Sequence, residues 1–236
     1  AFGAVLIPFL KKIHFGQTIL NIGPKWHKSK EGTPIMGGFM FILGSLIATA
    51  IGFFLFRYQN STVEIVDNTG LYKLLAGIIF ALLCSLIGFI DDYIKAVKKQ
   101  NLGLNSKQKL VMQFLFSALY LFALYEIGDK STSIVFPFFG AINFGIFYYP
   151  LMMLFITFIV NAVNLTDGVD GLCGSVTAIA SLAFTMISIF LLQYEQSIFS
   201  IALAGGCIGF LFWNLHPAKV FMGDTGSMFL GGAVVS

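Results

Sequence analysis

The sequence predicts an all-α fold, a polytopic bundle of transmembrane helices, and three observations carry that prediction. The chain is 57% hydrophobic and 11% charged, with a mean hydropathy of +0.87, whereas soluble domains carry about 25% charged residues. Six apolar runs approach the roughly 20 residues that cross a bilayer. Lys and Arg are also shared very unequally between alternate connecting segments.

Spans are predicted near 37–56, 74–90, 110–125, 144–163, 171–192 and 198–215, within a single integral-membrane domain over residues 1–236. Residues 1–10 read as the end of a further span and 228–236 as the start of another, so the pattern predicts a chain truncated at both ends. If the segments alternate sides, eleven of the fourteen basic residues fall on one side, and Arg57, Lys73 and Lys130 fall on the other. The first side is therefore cytoplasmic. On the outer side, 126–143 holds β-branched and aromatic residues around Pro137 and Gly140, which predicts a short hairpin packed on the outer surface. Asn60-Ser61-Thr62 matches a glycosylation acceptor there, a match common by chance. Cys84, Cys173 and Cys207 lie in or beside apolar runs without metal-ligand spacing and read as buried thiols.

The acids follow the same map. Glu31, Asp91, Asp92, Asp167, Asp170 and Asp224 all fall on the cytoplasmic side. An aspartate at mid-bilayer costs roughly 2.5 to 3.5 kcal/mol, so the pair in "GFIDDYIK" (88–95) is expected to end a span where it meets water. Adjacent residues on a helix point about 100° apart, so Asp91 and Asp92 are expected to have different roles. Asp91 and Lys95 stand in the i, i+4 relation. Taken alone, this segment fits a solvated helix end as well as a binding site.

Two further cytoplasmic segments are more telling. In "NAVNLTDGVDGL" (161–172), Asn161, Asn164 and Asp167 share one face of a helix's last turn before Gly168 ends it. Amides beside a carboxylate suit a polar, polyhydroxylated or metal-bearing ligand, while capping of the next helix accounts for Asp170. In "NLHPAKVFMGDTGSMFLGG" (214–232), Asp224, Thr225 and Ser227 stand among glycines just ahead of a predicted helix. Such a turn offers N–H groups to an anion and a carboxylate to a divalent cation, although capping explains Thr225 and Ser227 better. His216 reads as structural rather than as a metal ligand. "EGTPIMGG" (31–38) reads as an ordinary helix entry.

In this order and on one face, "GTPIMGG", "GFIDDYIK", "LNSKQK", "NAVNLTDGVDGL" and "HPAKVFMGDTGS" resemble the polyprenyl-phosphate phospho-sugar transferases. "GTPIMGG" and "NSKQK" point to the phospho-N-acetylmuramoyl-pentapeptide branch rather than the N-acetylhexosamine branch, which is the alternative. The resemblance implies transfer of the phospho-sugar from UDP-N-acetylmuramoyl-pentapeptide to undecaprenyl phosphate, with Mg²⁺, releasing UMP. It also implies a homodimer in the bacterial plasma membrane, an active site on the cytoplasmic side and no nucleic-acid partner. Asp91, Asp92 and Asp224 would be the catalytic acids, with Asp224, Asp92 and Asn164 at the metal. Asn161, Asn164, Asp167 and Asp170 would surround metal and nucleoside, with Gly168, Asn214 and Phe221 near uracil and ribose. Lys95, Lys99 and Lys107 would meet phosphates. The family's histidine-rich cytoplasmic motif and final span are expected beyond Ser236, and a fragment lacking them is expected to be impaired. A transporter or channel, the rival from another class, would place ionisable groups near mid-bilayer, and these spans are nearly free of charge. A non-catalytic scaffold would not need acids and glycines gathered on one side.

Overall fold

Gly223–Val235 forms a short helix, α8, that is buried from Thr225 to Ala233, and the longer helices are arranged around it. The computed structural model describes residues 3–12, 32–59, 68–98 and 102–236. In these, α1 (Gly3–Lys12), α2 (Gly38–Gln59), α3 (Thr69–Lys98) and α4 (Ser106–Ile127) precede an antiparallel hairpin of β1 (Ser133–Phe136) and β2 (Gly140–Asn143). Then come α5 (Tyr148–Thr166), α6 (Leu172–Phe190), α7 (Tyr194–Asn214) and α8. Six of these helical segments are long and apolar enough to cross a membrane, and they overlap the six predicted spans. The chain is thus a multi-pass membrane protein of helical class. The Asn60-Ser61-Thr62 match and Glu31 lie outside the described residues.

Side chains such as Ile47, Phe54, Leu115, Phe158 and Ile179 point outward, where lipid replaces water as solvent. The interior is filled by aromatic contacts, including Phe41 with Phe210 at 5.3 Å and Phe80 with Tyr120 at 4.8 Å between ring centroids. The three cysteines are buried and free.

Lipid tails are as apolar as leucine, so burial alone does not draw membrane helices together, and small residues that let backbones touch matter more. Here α8 packs chiefly on α3 and α5. A Cβ at Gly232 would lie 2.8 Å from Ala81 Cα, and one at Gly231 would lie 2.8 Å from Val160 Cα. A Cβ at Gly88 would collide with the Asp224 carbonyl. The carboxyl end of α3 and the amino end of α8 can therefore meet only because glycine stands at the crossing.

The sequence reading ends the second span at residue 90, but α3 runs on without a break to Lys98. Its 30 residues span about 45 Å, against about 30 Å of hydrocarbon. Lys73 and Asp129 pair at 2.9 Å near its other end. The hairpin follows Asp129 directly, with Ile134 opposite Ile142. Its connection carries Phe138 at φ 71° and Gly140 at φ 79°.

Gly232→Val is expected to force α8 away from α3 and to cost about 2 to 3 kcal/mol. Thermal unfolding in detergent reads this directly, and wild-type melting would contradict the close approach.

Candidate active site

The site begins with how α8 is held. Two segments distant in sequence are stitched together by backbone bonds: Phe221 N–H donates to Pro34 O at 2.9 Å, Gly37 N–H to Phe221 O at 2.8 Å and Gly38 N–H to Met222 O at 3.1 Å. The "TPIMGG" segment is therefore more than a helix entry, because it grips the strand-like approach to α8. Gly223 then turns the chain at φ 72°, a value that favours glycine.

A helix's first turn leaves N–H groups without partners, and α8 finds them on α3. Asp92 Oδ1 accepts from Asp224 N at 3.2 Å, and Asp92 Oδ2 accepts from Thr225 N at 2.9 Å and Thr225 Oγ1 at 2.7 Å. Ser85 Oγ adds a bond to Thr225 O at 3.0 Å. Asp92 is thus the cap of α8, supplied from another helix. This is why α8 starts at Gly223, five residues before the predicted start, with Asp224, Thr225 and Ser227 inside its first turns rather than in a preceding turn. Neither Thr225 nor Ser227 is the cap.

Asp91, one residue earlier and about 100° around α3, has other partners. Its Oδ1 accepts from Leu104 N at 2.6 Å and pairs with Lys109 Nζ at 3.1 Å. Lys95 Nζ lies 2.5 Å from its Oδ2, an ion pair off the direction of an aligned hydrogen bond. Both ammoniums also reach Asp224 Oδ2, Lys109 at 2.7 Å and Lys95 at 3.2 Å. Asp91 is 1% exposed and Asp92 3%. The pair does not end its helix in water, as expected from sequence, but is solvated by lysines and amides instead. Burial pushes the Asp224 carboxyl up, but its hydrogen bond with Asp91 and the charges of Lys95 and Lys109 outweigh this and hold it well below the ordinary carboxylate range. Asp224 is therefore ionised at neutral pH. Its stabilising contribution, present above about pH 4, fades only as the solution is made more acid.

Asn164 closes the cluster from α5. Its Nδ2 donates to Asp224 Oδ1 at 3.1 Å and to Ser227 Oγ at 2.8 Å. Asp91, Asp92 and Asp224 each offer an oxygen within 4.8 Å of the other two. Hard oxygen donors at this spacing suit a divalent cation such as Mg²⁺.

The remaining candidates lie apart from this cluster. Asn161 forms a two-way amide pair with Gln113 of α4, at 2.7 and 3.3 Å. Asn214 is buried; its Oδ1 accepts from Gly171 N at 3.0 Å and its Nδ2 donates to Val220 O at 2.9 Å. Asp170 does not cap α6, since Gly171 occupies that place. Instead, Asp170 Oδ2 meets His216 Nδ1 at 3.1 Å and Ala218 N at 3.4 Å. Asp167 ends α5, its N–H donating to Asn164 O at 3.2 Å, and Gly168 beyond it is exposed. Phe221 is half-buried and its backbone joins the clasp. Lys107 is exposed, and Lys99 lies outside the described residues.

Residues 74–236 match the family model described as glycosyl transferase family 4. The chain belongs to this family. Relatives named phospho-N-acetylmuramoyl-pentapeptide-transferase extend the likeness over almost the whole family 4 chain. One from Halalkalibacterium halodurans is 45% identical over 98% of this chain and 68% of its own length. One from Heliobacterium modesticaldum is 44% identical over 99% and 68%, and one from Bacillus subtilis 43% over 98% and 68%. These names agree with the muramoyl-pentapeptide branch and do not favour the N-acetylhexosamine one.

For this family 4 enzyme, sequence reasoning missed Lys109, counting it only for sidedness while choosing Lys107. A signal was present. Lys109, Gln113 and Ser117 recur every four residues, a polar stripe on one face of an otherwise apolar helix, and the latter two are buried. Lys107 points about 200° from Lys109.

Asp92→Asn keeps the side chain's shape but turns an amide N–H toward either Asp224 N–H or the Thr225 donors. We expect a loss of about 1 to 3 kcal/mol, measured by denaturant titration in detergent; unchanged stability would contradict the capping role.

Proposed function

We propose that the chain transfers phospho-N-acetylmuramoyl-pentapeptide from its UDP carrier to undecaprenyl phosphate, releasing UMP. The observation that carries this reading is the convergence of Asp91, Asp92 and Asp224 with two lysines at the ends of helices long and apolar enough to cross a membrane. A long apolar tail confines the acceptor phosphate to the bilayer plane, while the soluble donor arrives from the cytoplasm. A site at helix ends is where the two meet. The lysine distribution supports a cytoplasmic face, and the relatives' organisms support a bacterial plasma membrane. The family resemblance supports a homodimer.

Both reactants are anions that repel each other. Lys95 and Lys109 are placed to draw the diphosphate in. Asp224, with Asp91 and the Asn164 amide beside it, would hold Mg²⁺, which when bound would offset diphosphate charge. Asp91 stands here in place of the expected Asp92, whose two oxygens accept from Asp224 N, Thr225 N and Thr225 Oγ1. Asp92 fixes α8 and so keeps Asp224 in place. The acceptor is a phosphomonoester with a second pKa near 6, so at neutral pH roughly nine molecules in ten are already dianions. Little base strength is required, and Asp91 orients the nucleophile or takes the residual proton. An acceptor phosphate oxygen attacks the sugar-bearing phosphorus in line; the new P–O bond forms as the bond to UMP breaks. The Asp170, Asn214 and Phe221 region, on the connection that leads into α8, is assigned to the nucleoside.

Purified protein given UDP-N-acetylmuramoyl-pentapeptide, Mg²⁺ and undecaprenyl phosphate is expected to release UMP. Replacing the donor by UDP-N-acetylglucosamine should abolish this, and Asp224→Asn should lower it by about a thousandfold. Asp224→Asn activity within about tenfold of wild type would overturn the metal role. Incubation with labelled donor but no lipid should leave Asp91 unlabelled, and phospho-sugar trapped there would replace direct attack with a two-step route.

A further inference from the structure

The β1–β2 hairpin joins α4 to α5 on the membrane face away from the acid cluster, since Lys109 lies in the first turn of α4 and Asn164 in the last turn of α5. Residues 131–149 carry no charge. Beyond the Ser133–Asn143 pair at its base, the sheet is apolar on both faces, with Val135 opposite Ala141 on one and Ile134 opposite Ile142 on the other. Every strand residue except Ile134 is exposed. At the tip, Phe139 is 84% exposed and Phe138 wholly so. The hairpin therefore does not bury its faces on the helices, and an apolar surface of this kind is rarely left to water.

We propose that the hairpin is an interfacial anchor, its aromatic tip and apolar faces covered by the headgroups and first acyl carbons of the lipid leaflet on that side. Three observations select lipid as the partner. Its apolar surface continues that of the spans: Ile146 and Phe147, just ahead of α5, and Phe155 and Phe158 along it are exposed like the tip. Its height is marked by the residues around it. Lys130 Nζ lies 4.9 Å over the Tyr125 ring, Tyr149 lies 6.4 Å from that ring, and Lys73 pairs with Asp129. Tyrosines at helix ends with cations beside them belong at the boundary between hydrocarbon and water, and the hairpin springs from that level. Finally, a two-stranded sheet leaves one edge of each strand without a ladder partner. Those N–H and C=O groups are excluded from hydrocarbon, while the apolar faces are driven from water. The headgroup boundary satisfies both demands. At the base, Thr132 Oγ1 and Gly145 N both donate to Asn143 Oδ1, at 2.7 and 2.8 Å, so the hairpin's polar end is closed before the tip meets lipid. The inference rests on the membrane spans and not on the donor or metal of the acid cluster.

The test places a nitroxide at Phe138→Cys in the chain reconstituted into phosphatidylcholine nanodiscs. The three native cysteines are buried and stay unlabelled. Collision with oxygen, which concentrates in lipid, and with a water-soluble nickel chelate reads the depth of the label. Lys107→Cys, at an exposed position on the start of α4, serves as the water reference, and Phe158→Cys, exposed on α5, as the hydrocarbon reference. Nickel collision at Phe138→Cys is expected to be about fivefold below that at Lys107→Cys, with an oxygen-to-nickel ratio between the two references. Phe139→Cys should give the same reading from the neighbouring position. Labels at both tip positions as open to nickel as Lys107→Cys would overturn the anchor. Labels as closed as Phe158→Cys would overturn the interfacial depth that the free strand edges require. Spin–spin broadening at the tip, relieved by dilution with unlabelled protein, would show a second copy covering it and would equally overturn the lipid assignment.

Discussion

One carboxylate joins the two helices on which the site is built. Asp92 on α3 accepts the Asp224 and Thr225 amides at the start of α8, together with the Thr225 hydroxyl. Asp91 precedes Asp92 and Asp224 precedes Thr225, so capping one pair brings its neighbours face to face. The doublet of acids is thus a division of labour: one residue fixes the frame, and the other meets Lys95, Lys109 and the Leu104 amide. Gly88 makes this possible, since any side chain there would strike the Asp224 carbonyl.

The electrostatics follow from that frame. Three carboxylates withdrawn from water would repel one another strongly, and an unpaired buried charge is costly. Lys95 and Lys109 offset two of the three charges, and the partial positive charge of α8's amino end stands against Asp92. The cluster is therefore strongly polar while making little demand on solvent. A second polar group lies around the start of α6, where Asn214, Asp170 and His216 tie the α7–α8 connection to Gly171.

Much of this was legible from the order of residues. Apolar runs marked six spans, and the β-branched and aromatic residues around Pro137 marked the hairpin. The acidic segments named Asp91, Asp92, Asp224 and Asn164, which the fold brings together. What escaped were relations between segments. The extension of α3 past residue 90 was hidden because hydropathy ends there while helical hydrogen bonding does not. The early start of α8 was hidden because its cap lies 132 positions away in sequence. Asn161 read as facing a ligand, since nothing local reveals that Gln113 of α4 meets it. Lys109 was overlooked because the polar stripe was sought on loops rather than along a span.

The unbroken length of α3 also makes it a ruler. Each residue along it advances about 1.5 Å and rotates the face by about 100°, so height above the membrane midplane and angular phase are fixed together. Lengthening the helix by one position would bring a different side chain beneath α8 and turn the acid pair toward lipid or the wrong neighbour. Lengthening by seven nearly restores the phase but carries the acid pair about 10 Å along the helix axis, away from the start of α8. Evolution of this enzyme is therefore free to vary what α3 shows to lipid, but not how many residues it counts.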